Sequence, residues 1–318
     1  VTVKGKHVAR SDDDSWDITE GVGATALGMA MARAGESRVE TPLFADPFAQ
    51  VFLDAAVERG WRQPYTDQML TELISADPQL VAQMQGMSGY TAARTRFFDD
   101  FFLSAASDGV RQAVILAAGL DARAWRLPWP HGSVVYEIDQ PKVLEFKSVT
   151  LHKHGFEPAA GYLAVPIDLR HDWPKALRTS GFDPGQPTAW AAEGLLPYLP
   201  GEAQDLLFDR IQELSAPGSR VAVESFGPEF FNEDWVARRK AQFEHLRDAA
   251  GQAGDPEMPG AEQLFYLGPR SDVVEWLRDR RWEVTATAAE DLMASYGRPA
   301  PDVEDAVLPS VFVAARLP

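Results

Sequence analysis

The chain reads as an α/β protein, a seven-stranded and mostly parallel sheet with an N-terminal helical addition and an inserted cap. Three observations carry that expectation. From residue 113 onward, short apolar runs alternate with helical stretches, the pattern of parallel strands covered on both faces. The run Val114-Ile115-Leu116-Ala117-Ala118 ends on Gly119, and the next, Val134-Val135-Tyr136-Glu137-Ile138, ends on Asp139. Hydrophobic residues make up 45% of the 318, enough to bury a sizeable core.

Taken in order, residues 1–20 form an acidic, flexible tail, and residues 21–112 a helical addition placed to act as a lid. Residues 21–34, GVGATALGMAMARA, favour a helix, and their small side chains allow close packing. Two prolines in TPLFADPFAQ, residues 41–50, punctuate the chain before a helical stretch at 51–59. Residues 79–108 read as helix, with Phe97, Phe98, Phe101 and Phe102 spaced onto one face.

The core is expected over 113–318, with strands at 113–118, 134–138, 162–167, 188–193, 219–225, 282–288 and 310–315. Helices are expected at 140–154, 172–180, 201–215 and 271–279, with only a short one between the first two strands. Residues 227–268 interrupt the alternation as an insertion, helical at 234–250. The last two strands are joined across 291–309, and the final one is expected to return antiparallel.

Bulk properties narrow the function. Thirty basic against 47 acidic side chains give a formal charge of −17, which argues against a nucleic-acid backbone as partner. Cysteine is absent, so thiolate metal sites and cysteine nucleophiles are excluded, and a reducing cytoplasm suits the chain. No apolar run approaches the ~20 residues of a bilayer span, and residues 1–17 contain no apolar signal core. The six histidines show no metal-binding spacing.

The chemistry gathers at successive strand ends, where open α/β sheets bind nucleoside ligands. Gly119, in AAGLD, permits close approach of a ligand to the backbone. A dinucleotide pyrophosphate wants G-x-G-x-x-G opening a full helix, which this loop lacks, so S-adenosylmethionine fits better than NAD. Asp139 can accept from a ribose diol or cap the helix that starts at Pro141. Asp168 can accept from an adenine amino group, with the Leu169 amide facing a ring nitrogen, or simply terminate a turn. Glu193 ends an apolar run, so it needs a cationic partner, either a ligand ammonium or an arginine. Arg94 and Arg96 suit a ligand carboxylate, although Asp99 and Asp100 lie close enough in sequence to absorb them.

From about Trp16 onward the chain resembles the leucine carboxyl methyltransferase-like family, and within it the actinobacterial S-adenosylmethionine-dependent branch. DSWDITEGVGATAL, PLFADPFA, RTRFFDDFF, ILAAGLDARAWRL, YEIDQPKVLEFK, PIDLRHDW and AAEGLLPYLP carry the resemblance. It implies a class I methyltransferase fold, Rossmann-like, with S-adenosylmethionine as cofactor. It also implies that Arg94 holds the methionine carboxylate and that the Gly119 loop passes beneath the methionine. Asp139 would then bind ribose, Asp168 and Leu169 adenine, and Glu193 would lie by the amino group. One departure bears on affinity: Ala117 stands where the family often has the first glycine of Gly-Ala-Gly.

The expected reaction is methyl transfer to a carboxylate or hydroxyl of a small or hydrophobic acceptor. A carboxylate needs no general base, whereas a hydroxyl does; His171 and Tyr198 stand near the motifs. Trp16, Phe44, Phe48, Trp61, Phe230, Phe231 and Trp235 are expected to line the acceptor pocket. The alternatives are a nucleoside-binding protein without catalysis and a nicotinamide-dependent oxidoreductase.

Overall fold

The computed structural model describes residues 18–19, 21–63, 77–249 and 265–318. Residues 1–17 of the expected tail, Trp16 among them, and residues 250–264 of the insertion lie outside the described residues, whereas Ile18, also assigned to the tail, is buried in a core cluster with α1 and α2.

Seven strands form one sheet: β1 (Gln112–Leu116), β2 (Val134–Asp139), β3 (Gly161–Pro166), β4 (Thr188–Ala192), β5 (Arg220–Phe226), β6 (Glu283–Ala288) and β7 (Ser310–Arg316). Their order is β3-β2-β1-β4-β5-β7-β6. The first five are parallel, and β7 runs antiparallel between β5 and β6, as expected of the final strand. The central strands β1 (QAVIL) and β4 (TAWAA) are buried at every position, which is why they read as apolar runs after their first residue. The edge strand β3 is largely exposed.

Among the described residues three helices precede the sheet: α1 (Gly21–Glu36), α2 (Pro47–Glu58) and α3 (Pro78–Ser107). The second begins four residues before the expected 51. Asp46 is its cap, accepting from the Phe48 and Ala49 amides, and Pro47 takes the first helical position. The Asp-Pro pair is thus a start signal rather than a break, and Asp77-Pro78 opens α3 the same way. Short α4 (Arg123–Arg126) follows β1, and α5 (Pro141–Lys153), α6 (Trp173–Thr179) and α7 (Gly201–Glu213) follow β2, β3 and β4. Beyond β5 come a 3-10 turn at Pro228–Phe231, α8 (Glu233–Ala249) and α9 (Val273–Asp279). One further helix, α10 (Ala289–Ser295), lies in the β6–β7 connection, where only a link was expected.

One face of the sheet packs on α3 through Phe98, Phe101 and Phe102. The other carries Trp173, Trp190, Phe208 and Trp276. A third cluster joins α1, α2 and α5 to Leu120 and Ala122 of the loop after β1. The addition therefore touches the loop in which Gly119 lies. No helix among the described residues is long and apolar enough to cross a membrane.

Candidate active site

A cavity of about 680 Å³ opens over the carboxyl ends of the parallel strands, within the usual size of a cofactor or substrate site. Arg94, Ala117, Gly119, Asp139, Asp168, Leu169 and Glu193 all line it. It crosses the point between β1 and β4 where the strand order reverses, the crevice in which such sheets hold ligands.

The β1 loop is built from unusual backbone. β1 stops at Leu116, two residues before the expected end, because Ala117 turns to φ +53°. A left-handed alanine costs roughly 1–2 kcal/mol, which gives a physical reason for a glycine to be favoured there. Gly119 has φ +49°, and α1 lies so close that a Cβ at 119 would sit 3.3 Å from the Ala26 Cβ. The Gly119 amide donates to Asp139 Oδ2 at 2.6 Å.

Asp139 is not the cap of α5. That position belongs to Gln140, which makes no side-chain capping bond. Asp139 instead accepts from the amides of Gly119 and Gln140, at 2.6 Å each, and so ties the ends of β1 and β2 together. Burial pushes its carboxyl up, and those two amides hold it partly back.

Asp168 accepts from the Arg170 amide (2.8 Å) and guanidinium (2.7 Å) and from Gln140 Nε2 (3.1 Å). Burial acts to raise its carboxyl, but the contacts with Arg170 outweigh it and leave it below the ordinary aspartate range.

Glu193 has the arginine alternative as its partner, twice over. It accepts from Arg94 Nε at 3.0 Å and from Arg123 Nη1 at 2.7 Å. Against the opposing effect of burial, Arg123 and then Arg94 hold its carboxyl below the usual range. Arg94 also donates from Nη1 to Glu224, at 3.2 Å to its Oε2, and places Nη2 3.0 Å from Met29 Sδ. Asp99 does not absorb Arg94; it pairs with Arg123 (2.7 Å) and Arg126 (2.6 Å), whereas Arg96 does pair with Asp100 at 2.9 Å. Arg123 also pairs with Asp121, and the hydroxyl of Tyr90 donates to Glu224.

Arg123, Arg126, Asp99, Asp121 and Glu224 were not among the expected site residues. Three of them stand in the motif DARAWR. Glu224 had the same signal as Glu193, a glutamate inside an apolar run, Val-Ala-Val-Glu-Ser-Phe.

The aromatic expectations divide. Phe230 and Trp235 line the cavity, together with Phe226, Phe265 and Tyr198. Phe48 and Trp61 instead pack with α1, α2 and α5, Phe44 lies under Arg126, and Phe231 is covered by the Arg270 guanidinium 3.7 Å above its ring. His171 is exposed and does not line the cavity.

Residues 26–212, more than half the chain, match the leucine carboxyl methyltransferase family. A Mycobacterium avium protein named "Putative S-adenosyl-L-methionine-dependent methyltransferase" is 56% identical over 311 residues, which span 97% of this chain and 98% of that protein. A Mycobacterium tuberculosis protein of the same name is 52% identical over 308 residues, 96% of this chain and 98% of that one. The crystal structure of a DUF574 family protein from Streptomyces avermitilis overlaps 91% of this chain and 97% of its own at 14% identity, with a TM-score of 0.46. Family match and full-length relatives agree: the chain belongs to the leucine carboxyl methyltransferase family.

Proposed function

We propose that this S-adenosylmethionine-dependent methyltransferase holds its cofactor across the ends of β3, β2, β1 and β4 and methylates a carboxylate on an apolar acceptor seated beyond β5. The observation that carries the proposal is the sequence of groups along one cavity. In strand order the wall presents Asp168 and Leu169, then Asp139, Gly119 and Glu193, and finally Phe226 at the end of β5 with Phe230 and Trp235 behind it.

These residues fit the cofactor. The left-handed Ala117–Gly119 turn leaves room for a methionine chain, Asp139 offers acceptor sites to a ribose, and Asp168 and Leu169 offer an acceptor and an amide to adenine. Arg94 is the cation for the methionine carboxylate, and Glu193 the anion for the amino group. When bound, the cofactor supplies an activated methyl on a sulfonium. The chain's own contribution is to fix the acceptor in line with that methyl and to keep water out, which is catalysis by orientation.

A carboxylate acceptor is favoured over a hydroxyl by the wall itself. Among the described residues no histidine lines the cavity. Its carboxylates are already engaged: Asp121 by Arg123, Asp139 by two amides, Asp168 by Arg170, and Glu193 by two arginines. A carboxylate is nucleophilic without proton removal and asks nothing of them. A chain without cysteine suits the cytoplasm, which we take as its place of action.

The test is transfer of labelled methyl from the cofactor to a panel of apolar carboxylic acids and the alcohols of the same skeletons. Label that alkali releases as methanol marks a methyl ester. Alkali-stable product from the alcohols alone would overturn the carboxylate assignment.

A further inference from the structure

Seven charged side chains form one connected network under the cavity where β1 and β4 end. Arg94 holds Glu193 and Glu224; Arg123 holds Glu193, Asp121 and Asp99; Arg126 holds Asp99. Three guanidiniums therefore face four carboxylates, leaving the network one negative charge in surplus. Its side chains are between 0% and 15% exposed, so solvent screens that charge poorly.

Neighbouring charges do not cancel the surplus. Arg33 is paired with Asp46, Lys147 with Glu137, and Arg170 with Asp168, while Arg239 stands at the Trp235 end of the cavity, bonded to Gln242 and the Asp305 carbonyl and not to the network. Asp139 adds a further anionic group at the end of β2.

S-adenosylmethionine and its demethylated product share every group except one. The donor carries a sulfonium and a net positive charge at its methionine end, whereas the product is a thioether with none. We propose that the surplus charge makes this network discriminate donor from product, so that the spent cofactor is held less tightly and leaves. Glu224 takes part without touching the ligand. Fully buried behind Arg94 and fastened by the Tyr90 hydroxyl, it is a positioning residue that also supplies the excess charge. The proposal rests on the cofactor site described above.

The test is calorimetric titration of the full chain with S-adenosylmethionine and, separately, S-adenosylhomocysteine, with the ratio of the two dissociation constants as readout. A purely structural defect weakens both ligands alike and leaves that ratio in place. Glu224→Gln and Glu193→Gln each remove one negative charge and should lower the preference for the donor about tenfold. That is the scale of a unit charge acting across about 10 Å at an effective dielectric near 20. Glu224→Asp keeps the charge and should keep the ratio, even where both affinities fall. If Glu224→Gln fails to fold, Glu193→Gln, nearer the cavity, carries the test. A ratio unchanged within twofold in a folded glutamine variant that binds both ligands overturns the inference and leaves the cofactor site standing. Failure of the wild-type chain to bind either ligand overturns the cofactor site itself.

Discussion

Gly119→Ala measures how tightly the first helix is laid over the glycine loop. At φ +49°, an alanine is in the left-handed region and costs roughly 1–2 kcal/mol. About 0.4–1 kcal/mol of that is returned by the stiffer unfolded chain. The new Cβ would lie 3.3 Å from the Ala26 Cβ, so α1 or the loop must yield by a few tenths of an ångström, an overpacking term of about 1 kcal/mol. The expected net loss is about 1–2 kcal/mol. Ala26→Gly alone should cost about 1 kcal/mol as a glycine within α1, but it removes the methyl that the new side chain meets. The double variant should therefore exceed the sum of the single effects in stability by about 1 kcal/mol. Urea unfolding at constant slope gives each value. Additivity within about 0.5 kcal/mol would refute the contact.

Other outcomes can be stated briefly. Asp139→Ala should weaken S-adenosylmethionine binding by about 1–3 kcal/mol, the scale of a charge-assisted hydrogen bond; an unchanged dissociation constant removes Asp139 from the site. Because burial raises the Asp139 carboxyl, its contribution to the stability of the free protein is present below the unfolded pKa and lost as pH rises through the folded value. Urea midpoints of wild type and Asp139→Asn across that window should therefore converge on the acid side. Arg123→Ala leaves buried Asp121 without its guanidinium and takes one of two arginines from Asp99 and from Glu193, and should cost about 3–5 kcal/mol in the same unfolding assay. Phe230→Leu trims a ring packed on Phe226, Trp235 and Phe265. It should raise the acceptor KM while leaving cofactor affinity as it was, and a change confined to the cofactor would place Phe230 outside the acceptor compartment.

The sheet was legible in the sequence because its strands obey one simple rule. Strands covered on both faces must be apolar over most of their length, and β1 and β4 are, after an opening Gln112 and Thr188. Their ends were less legible: Ala117 and Glu193 continue the expected runs, but β1 ends before Ala117, whose φ is positive, and β4 ends at Ala192. The cavity groups could be picked singly, since each stands just past an apolar run. Their partners could not. That Glu193 faces two arginines from segments about 100 and 70 residues upstream is a matter of tertiary packing, which no local pattern encodes. The aromatic expectations divided for the same reason: Phe48 and Trp61 are as apolar as Phe230, and only the docking of α2 on α5 decides which ring is core and which is wall.

The long helix α3 acts as a ruler along the cavity wall. Met87 and Arg94 both reach the cavity from it, seven residues and thus two turns apart, a separation of about 10 Å along the axis. At Gly86 the rod is pinned so closely to Ala306 that a Cβ would strike its carbonyl oxygen. The spacing between these two cavity-lining side chains is therefore set by helical rise and not by loop conformation. Insertion of one residue between 87 and 94 would swing one gauge mark about 100° off the face and silence transfer.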